Sequence, residues 1–149
     1  MIDWLSSMSQ TYQFYEVDPN TWRDKKRISN VLSCSIKRDL TTETLESASF
    51  STTDIYDECY IRVYLIARQH GVDYKICLGT FLVQTPSYAF DGKTKNISLD
   101  AYSPLLELRD TKPDIGFTLL EGANIESSVY EQTKNHMRAP VVKSTGTDT

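Results

Sequence analysis

Through most of its first 110 residues the chain alternates apolar and polar side chains with a period of two. A helix advances about 100° per residue and scatters such a pattern over its whole surface, whereas a strand sorts it onto two faces. Residues 59–68 (CYIRVYLIAR) are the clearest case: Cys59, Ile61, Val63, Leu65 and Ala67 fall on one face, Tyr60, Arg62, Tyr64, Ile66 and Arg68 on the other. Gln69-His70-Gly71-Val72-Asp73 supplies a turn in which Gly71 can take positive φ, and residues 74–85 return antiparallel. Gly79 inside that return strand marks a bulge or bend, and Pro86 ends its regular pairing. Before the hairpin, residues 11–17 form a strand closed by Asp18-Pro19-Asn20. Residues 28–37 place Ile28, Leu32, Cys34 and Ile36 on one face with serines opposite, and residues 46–52 turn Ala48 and Phe50 inward. After it, Asp91-Gly92 makes a second hairpin turn into residues 96–102, with Ile97, Leu99 and Ala101 on one face. The expected fold is mainly β, an antiparallel β-barrel whose sheet curls at Gly79.

At Ser103 the period changes. Ser103 is placed to cap, and Pro104 to open, a short helix carrying Leu105, Leu106 and Leu108, which plugs one end of the barrel. Farther on, Asn124 caps an amphipathic helix over residues 124–138, with Ile125, Val129, Thr133 and Met137 four apart. The division expected is a β-barrel domain over residues 1–122 and a helix with a polar tail over 123–149, the start of a further unit or an interaction arm.

A chain of 149 residues suits one such domain. Its net charge of −4 argues against a nucleic-acid footprint, and the basic run Arg23-Asp24-Lys25-Lys26-Arg27 reads as a solvated turn. No stretch approaches the ~18 apolar residues of a spanning helix, and the amino terminus reads as neither secretion signal nor anchor, so no membrane partner is expected. Cys34, Cys59 and Cys77 each fall inside a strand, which points to reduced, buried thiols and synthesis in a cytoplasm.

Chemistry is sparse in this pattern. His70 and His136 have no partner at metal-ligand spacing, and the acidic group Asp54, Asp57 and Glu58 lacks the glycine and terminal Glu of a calcium loop. Gly92-Lys93-Thr94 resembles the end of a phosphate loop, but Ser87 stands where the upstream glycine belongs. No metal, cofactor or catalytic set is expected. Asp100 and Tyr102 share a strand face and are the one pair that could act as acid and base in a small β-barrel enzyme or ligand-binding domain. The competing reading makes them a sheet corner. Tyr60, Arg62, Tyr64, Arg68, Tyr102 and Tyr130 are the candidate interface residues, because Tyr and Arg join apolar bulk to a polar tip.

The series Gly79, Thr80, Phe81, Val83, Leu99, Ala101, Tyr102, Ser103, Leu105 and Leu108 resembles the first barrel of phage baseplate hub, or tail-hub, proteins. The likeness spans roughly residues 28–108 and consists of packing positions; Ser103-Pro104 departs from it where an acidic residue is common, and the chain is shorter than most members. The resemblance implies a structural virion protein made in the host cytoplasm. Such a protein forms a trimeric ring at the tail tip, joins the tail tube or distal tail protein to a spike or fibre, and meets DNA only as passing cargo. A distal-tail or adaptor ring protein of the same tail is the nearby alternative.

Overall fold

The computed structural model describes residues 2–54, 57–84, 86–90, 92, 95–111 and 117–143, and the backbone alone of Tyr88 and Lys95. Asp91 of the expected Asp91-Gly92 turn, Lys93, Thr94, Pro113 and the polar end from residue 144 lie outside that description. The strands are β1 (Ser9–Val17), β2 (Asp24–Ile28), β3 (Val31–Arg38), β4 (Glu46–Thr52), β5 (Tyr60–Gln69), β6 (Val72–Val83), β7 (Ser87–Phe90) and β8 (Lys95–Tyr102). Among the described residues two helices follow, α1 (Leu105–Asp110) and α2 (Ile125–His136). All strands join one antiparallel sheet in the order β2-β1-β5-β6-β8-β4-β3, with β7 added on β8.

The mainly β, antiparallel expectation holds, but the sheet is not closed into a barrel. Its edges are β2 and β3, which only Ser29 and Asn30 separate in sequence. The single strand expected over residues 28–37 breaks there. Ile28 ends β2 opposite Phe14 of β1, and the chain then swings to pair β3 with β4. A register slip between Val31 and Ser33 puts Val31 and then Cys34 and Ile36 against the core and leaves Leu32 exposed. Where closure fails, a cleft of about 450 Å³ lies between Tyr12 and Phe14 of β1 and Val31 to Ile36 of β3. The basic run expected to be a turn is instead most of the edge strand β2, whose charges suit a sheet margin.

The inward faces agree with the alternation. Ala48, Phe50, Ile61, Val63, Phe81, Val83, Ile97, Leu99 and Ala101 form one buried core. The β5–β6 turn takes positive φ at both His70 (50°) and Gly71 (77°), the hand that a two-residue hairpin needs. Opposite Val63 and Tyr64 the register slips, so that Leu78 is the extra residue of a bulge beside Gly79, where the sequence placed one.

The short helix does not plug this core. Leu106 of α1 packs with Val17, Tyr60 and Leu82, with Trp22 and Tyr102 beside them, in a second cluster. Tyr60 and Leu82 alternate with core residues Ile61, Phe81 and Val83, so this cluster covers the opposite face of the sheet. Ser103 does not cap α1 with its side chain; its hydroxyl donates to the Thr44 carbonyl, while its own carbonyl accepts from Leu106. The α2 cap is as expected, with Asn124 Oδ1 accepting from the Ser127 amide at 2.9 Å.

Burial of the thiols is uneven. Cys34 and Cys59 are half-buried and burial pushes both up to about 11, whereas Cys77 is exposed on β6. An alkylating reagent at pH 8 is therefore expected to label Cys77 first, with Cys34 and Cys59 slower by roughly tenfold or more, as peptide mass mapping over time will show.

Candidate functional site

Three side-chain assemblies stand out. The first ties the end of α2 to α1 and β5. Glu107, in the first turn of a short helix, has a side chain only 8% exposed and holds three donors. Tyr60 donates its hydroxyl to Oε1, Arg138 Nε donates to the same oxygen at 2.7 Å, and the Arg138 amide donates to Oε2 at 3.0 Å. Arg138 also reaches Glu58 at 2.8 Å and lies over the Tyr60 ring at 5.3 Å. Burial, then the Glu107 contact, push the Tyr60 phenol well above its ordinary range; Glu58 and Glu107 together raise Arg138. A cleft of about 440 Å³ opens beside them, with Gln84, Asp110 and His136 on its wall.

The second covers the outer face of β1, β5 and β6. Arg62 donates to Asp24 and to the Thr80 hydroxyl, each at 2.9 Å, and to the Trp22 carbonyl at 3.2 Å. Tyr64 donates to Asp24 at 2.9 Å and packs edge-on to Tyr15, and Lys75 sits 3.8 Å from the Tyr64 ring centre. Trp22, at a left-handed φ of 55°, is turned edge-on to Tyr60 with ring centres 4.9 Å apart. Tyr60, Arg62 and Tyr64 on the outer face of β5 are thus engaged by Trp22 and Asp24, the loop before β2 and its first residue.

The third contains the expected acid and base. Asp100 and Tyr102 lie beside Ser35 and Lys37 of β3 and Ser47 and Ser49 of β4, around a shallow cleft of about 210 Å³. The register puts Asp100 opposite Ser49 and Tyr102 opposite Ser47. Asp100 is exposed, its carbonyl accepts from the Gln84 amide, and Tyr102 is half-buried against the α1 cluster. Small hydroxyl side chains make this face low and approachable.

The six candidate interface residues therefore separate. Tyr60 is 2% exposed and belongs to the Glu107 assembly; Arg62 and Tyr64 belong to the Asp24 assembly. Arg68 is exposed and pairs with Asp73 at 3.5 Å, Tyr102 flanks the serine-lined cleft, and Tyr130 lies on α2 with Lys134 5.9 Å from its ring centre. Sequence reasoning missed Glu107, Arg138, Asp24 and Trp22. Arg138 meets Glu107 and Glu58 across separations of 31 and 80 residues, which no local pattern registers.

Among the described residues no group of three or more His, Cys, Asp or Glu side chains is arranged to hold a metal ion, and no described helix is long and apolar enough to cross a membrane. No family model, curated protein or solved structure matches this chain.

Proposed function

We propose that this chain is a structural subunit of a phage tail, assembling as a ring at the tail tip between the tube and a spike or fibre. The observation that carries the reading is a pair of long, different strand edges on one subunit. Among the described residues, Val72 to Cys77 of β6 pair only with β5, because β6 meets β8 only at Leu82 and Val83, and the Leu78 carbonyl accepts from Arg38 of β3 at 2.6 Å. At the end of the strand order β3 pairs only with β4. Open edges of this length invite pairing with another chain, and two unlike surfaces on one molecule generate a ring when the rotation closes. Support also comes from the hub-like series of residues. Phe81, Val83, Leu99 and Ala101 in it are core residues, so the likeness is one of architecture and not of chemistry.

In this reading the serine-lined face around Asp100 receives a neighbouring element, and Asp100 catalyses nothing. The trimer is the stoichiometry proposed, with DNA only passing through. Native mass spectrometry and electron microscopy of tail particles test it: the expected result is a closed ring stacked on tube-like partners. A chain that stays monomeric and never enters a tail would sink the proposal. A hydrolytic or ligand-binding activity abolished by Asp100→Asn would replace it with the enzyme alternative.

A further inference from the structure

One inward-facing part of the sheet stands open to solvent. Tyr12 and Phe14 of β1 lie opposite Leu65 and Val63 of β5, so both belong to the core face. Phe14 is packed there, but Tyr12 remains 54% exposed. Leu32 of β3, 60% exposed, lines the same cleft of about 450 Å³. Among the described residues β1 pairs with β2 as far as Phe14 opposite Ile28, and from Gln13 back to Ser9 it pairs only with β5. β3 pairs only with β4, and there Leu32 is the extra residue of the slip between Val31 and Ser33. Two strand sides without a partner thus border one apolar gap.

The ladders on either side of the gap agree on a way to close it. The β1–β2 ladder sets Glu16, Tyr15 and Phe14 opposite Lys26, Arg27 and Ile28; continued without a shift, it sets Tyr12 opposite Asn30, Thr11 opposite Val31 and Gln10 opposite Leu32. The β3–β4 ladder sets Ile36 and Cys34 opposite Ala48 and Phe50; continued without a shift, it sets Leu32 opposite the fully buried Thr52. Both continuations turn Leu32 inward, since Gln10 lies opposite the buried Ala67 and Thr52 shares the face of Phe50. Residues 28–36 would then alternate without a break, Ile28, Leu32, Cys34 and Ile36 all on the core face. We infer that residues 29–33 are a register switch: in one form Leu32 bulges outward and the seam between β1 and β3 is open, and in the other the stretch straightens, Leu32 enters the gap and β3 pairs with β1 to close the sheet. Both ends of the stretch are held. Ile28 is buried opposite Phe14, and Arg38 donates to Glu46 at 2.8 Å and to the Leu78 carbonyl at 2.6 Å. A shift of one residue carries Leu32 in as Val31 leaves the core, so the apolar area buried changes little. Closure gains main-chain hydrogen bonds and costs a tighter curl of the sheet, opposing terms that allow two packings of one sequence. The open form offers a strand edge to a neighbour and the closed form hides it.

The switch lies within one chain and rests on no part of the phage-tail reading; closure covers Val31 to Ser33 and leaves the β3 edge from Cys34 to Arg38 open. A disulfide tests it. Thr11→Cys with Val31→Cys, in a chain that also carries Cys34→Ala, Cys59→Ala and Cys77→Ala, is oxidised with diamide and the product read by mass spectrometry of unreduced peptides. Closure sets the two Cα atoms roughly 4.5–5.5 Å apart, within reach of a disulfide. The expected result is an intramolecular bridge, formed at least about fivefold more slowly when Leu32→Ser is added and near the parent rate with Leu32→Met, because only an apolar side chain gains by entering the gap. No bridge, or a bridge indifferent to residue 32, overturns the switch whether or not the chain forms a ring. Nuclear Overhauser contacts in the unsubstituted chain give the same decision without any variant. Backbone protons of Thr11 close to those of Val31 support closure, and cross-strand contacts of Val31 confined to Thr52 overturn it.

Discussion

Glu107→Ala is expected to lower the unfolding free energy by about 2–4 kcal/mol, measured by urea denaturation against the wild type. The carboxylate is nearly buried and is the shared acceptor for the Tyr60 hydroxyl and for Arg138. Removing it leaves the phenol, on a residue 2% exposed, without that acceptor, and loosens the end of α2. Arg138 itself is half exposed and keeps Glu58, so its charge can rehydrate and the loss falls short of that for a fully buried pair. Glu107→Gln separates charge from shape: it keeps an acceptor for Tyr60 and should recover part of the loss. The same assembly gives an alkaline signature. Tyr60 holds its proton more tightly in the folded chain than its ordinary value near 10, so its contribution is intact below pH 10 and is lost as pH rises above it. A Glu107→Ala protein that melts with the wild type would show the clasp to be incidental.

The sequence pattern determines the strands more completely than their closure. Period-two alternation places Ile61, Val63, Leu99 and Ala101 because burial on one pleat face is a local constraint, repeated every second residue. Closure is decided elsewhere, at Ser29-Asn30, where hydrogen bonding passes from β1 to β4 and nothing in the alternation of residues 28–37 marks the change. The position of α1 was illegible for a related reason. Tyr60 and Leu82 count as outward in their strands, and only the folded sheet shows that Trp22 and Leu106 cover them. The clasp around Glu107 has no sequence signature, because its partners come from β5, the segment before it and the end of α2. Asp100 and Tyr102, by contrast, do share a cleft as their spacing implied, with serines and Lys37 for company.

Gly79 is the position where the bulge and the core meet, and Gly79→Val is expected to cost about 2–3 kcal/mol through overpacking. A Cβ there would lie 2.7 Å from Cζ and 2.9 Å from Cε2 of Phe81, with a Glu46 oxygen at 3.4 Å. Phe81 cannot easily yield: it is fully buried, and its ring lies against Phe50 at 6.4 Å, which in turn meets Phe14 at 6.1 Å. At about 2–4 °C per kcal/mol for a chain of this size, the melting temperature should fall by several degrees. The strand preference of Val works in the other direction, so a small loss would mean that the ring moves aside. A second substitution decides the cause. Phe81→Leu alone opens space and destabilises, but combined with Gly79→Val it removes the clashing ring end, so the double variant should be more stable than the sum of the two losses predicts. Strict additivity would place the origin of the Gly79 effect in the backbone of the bulge and not in the core beside it.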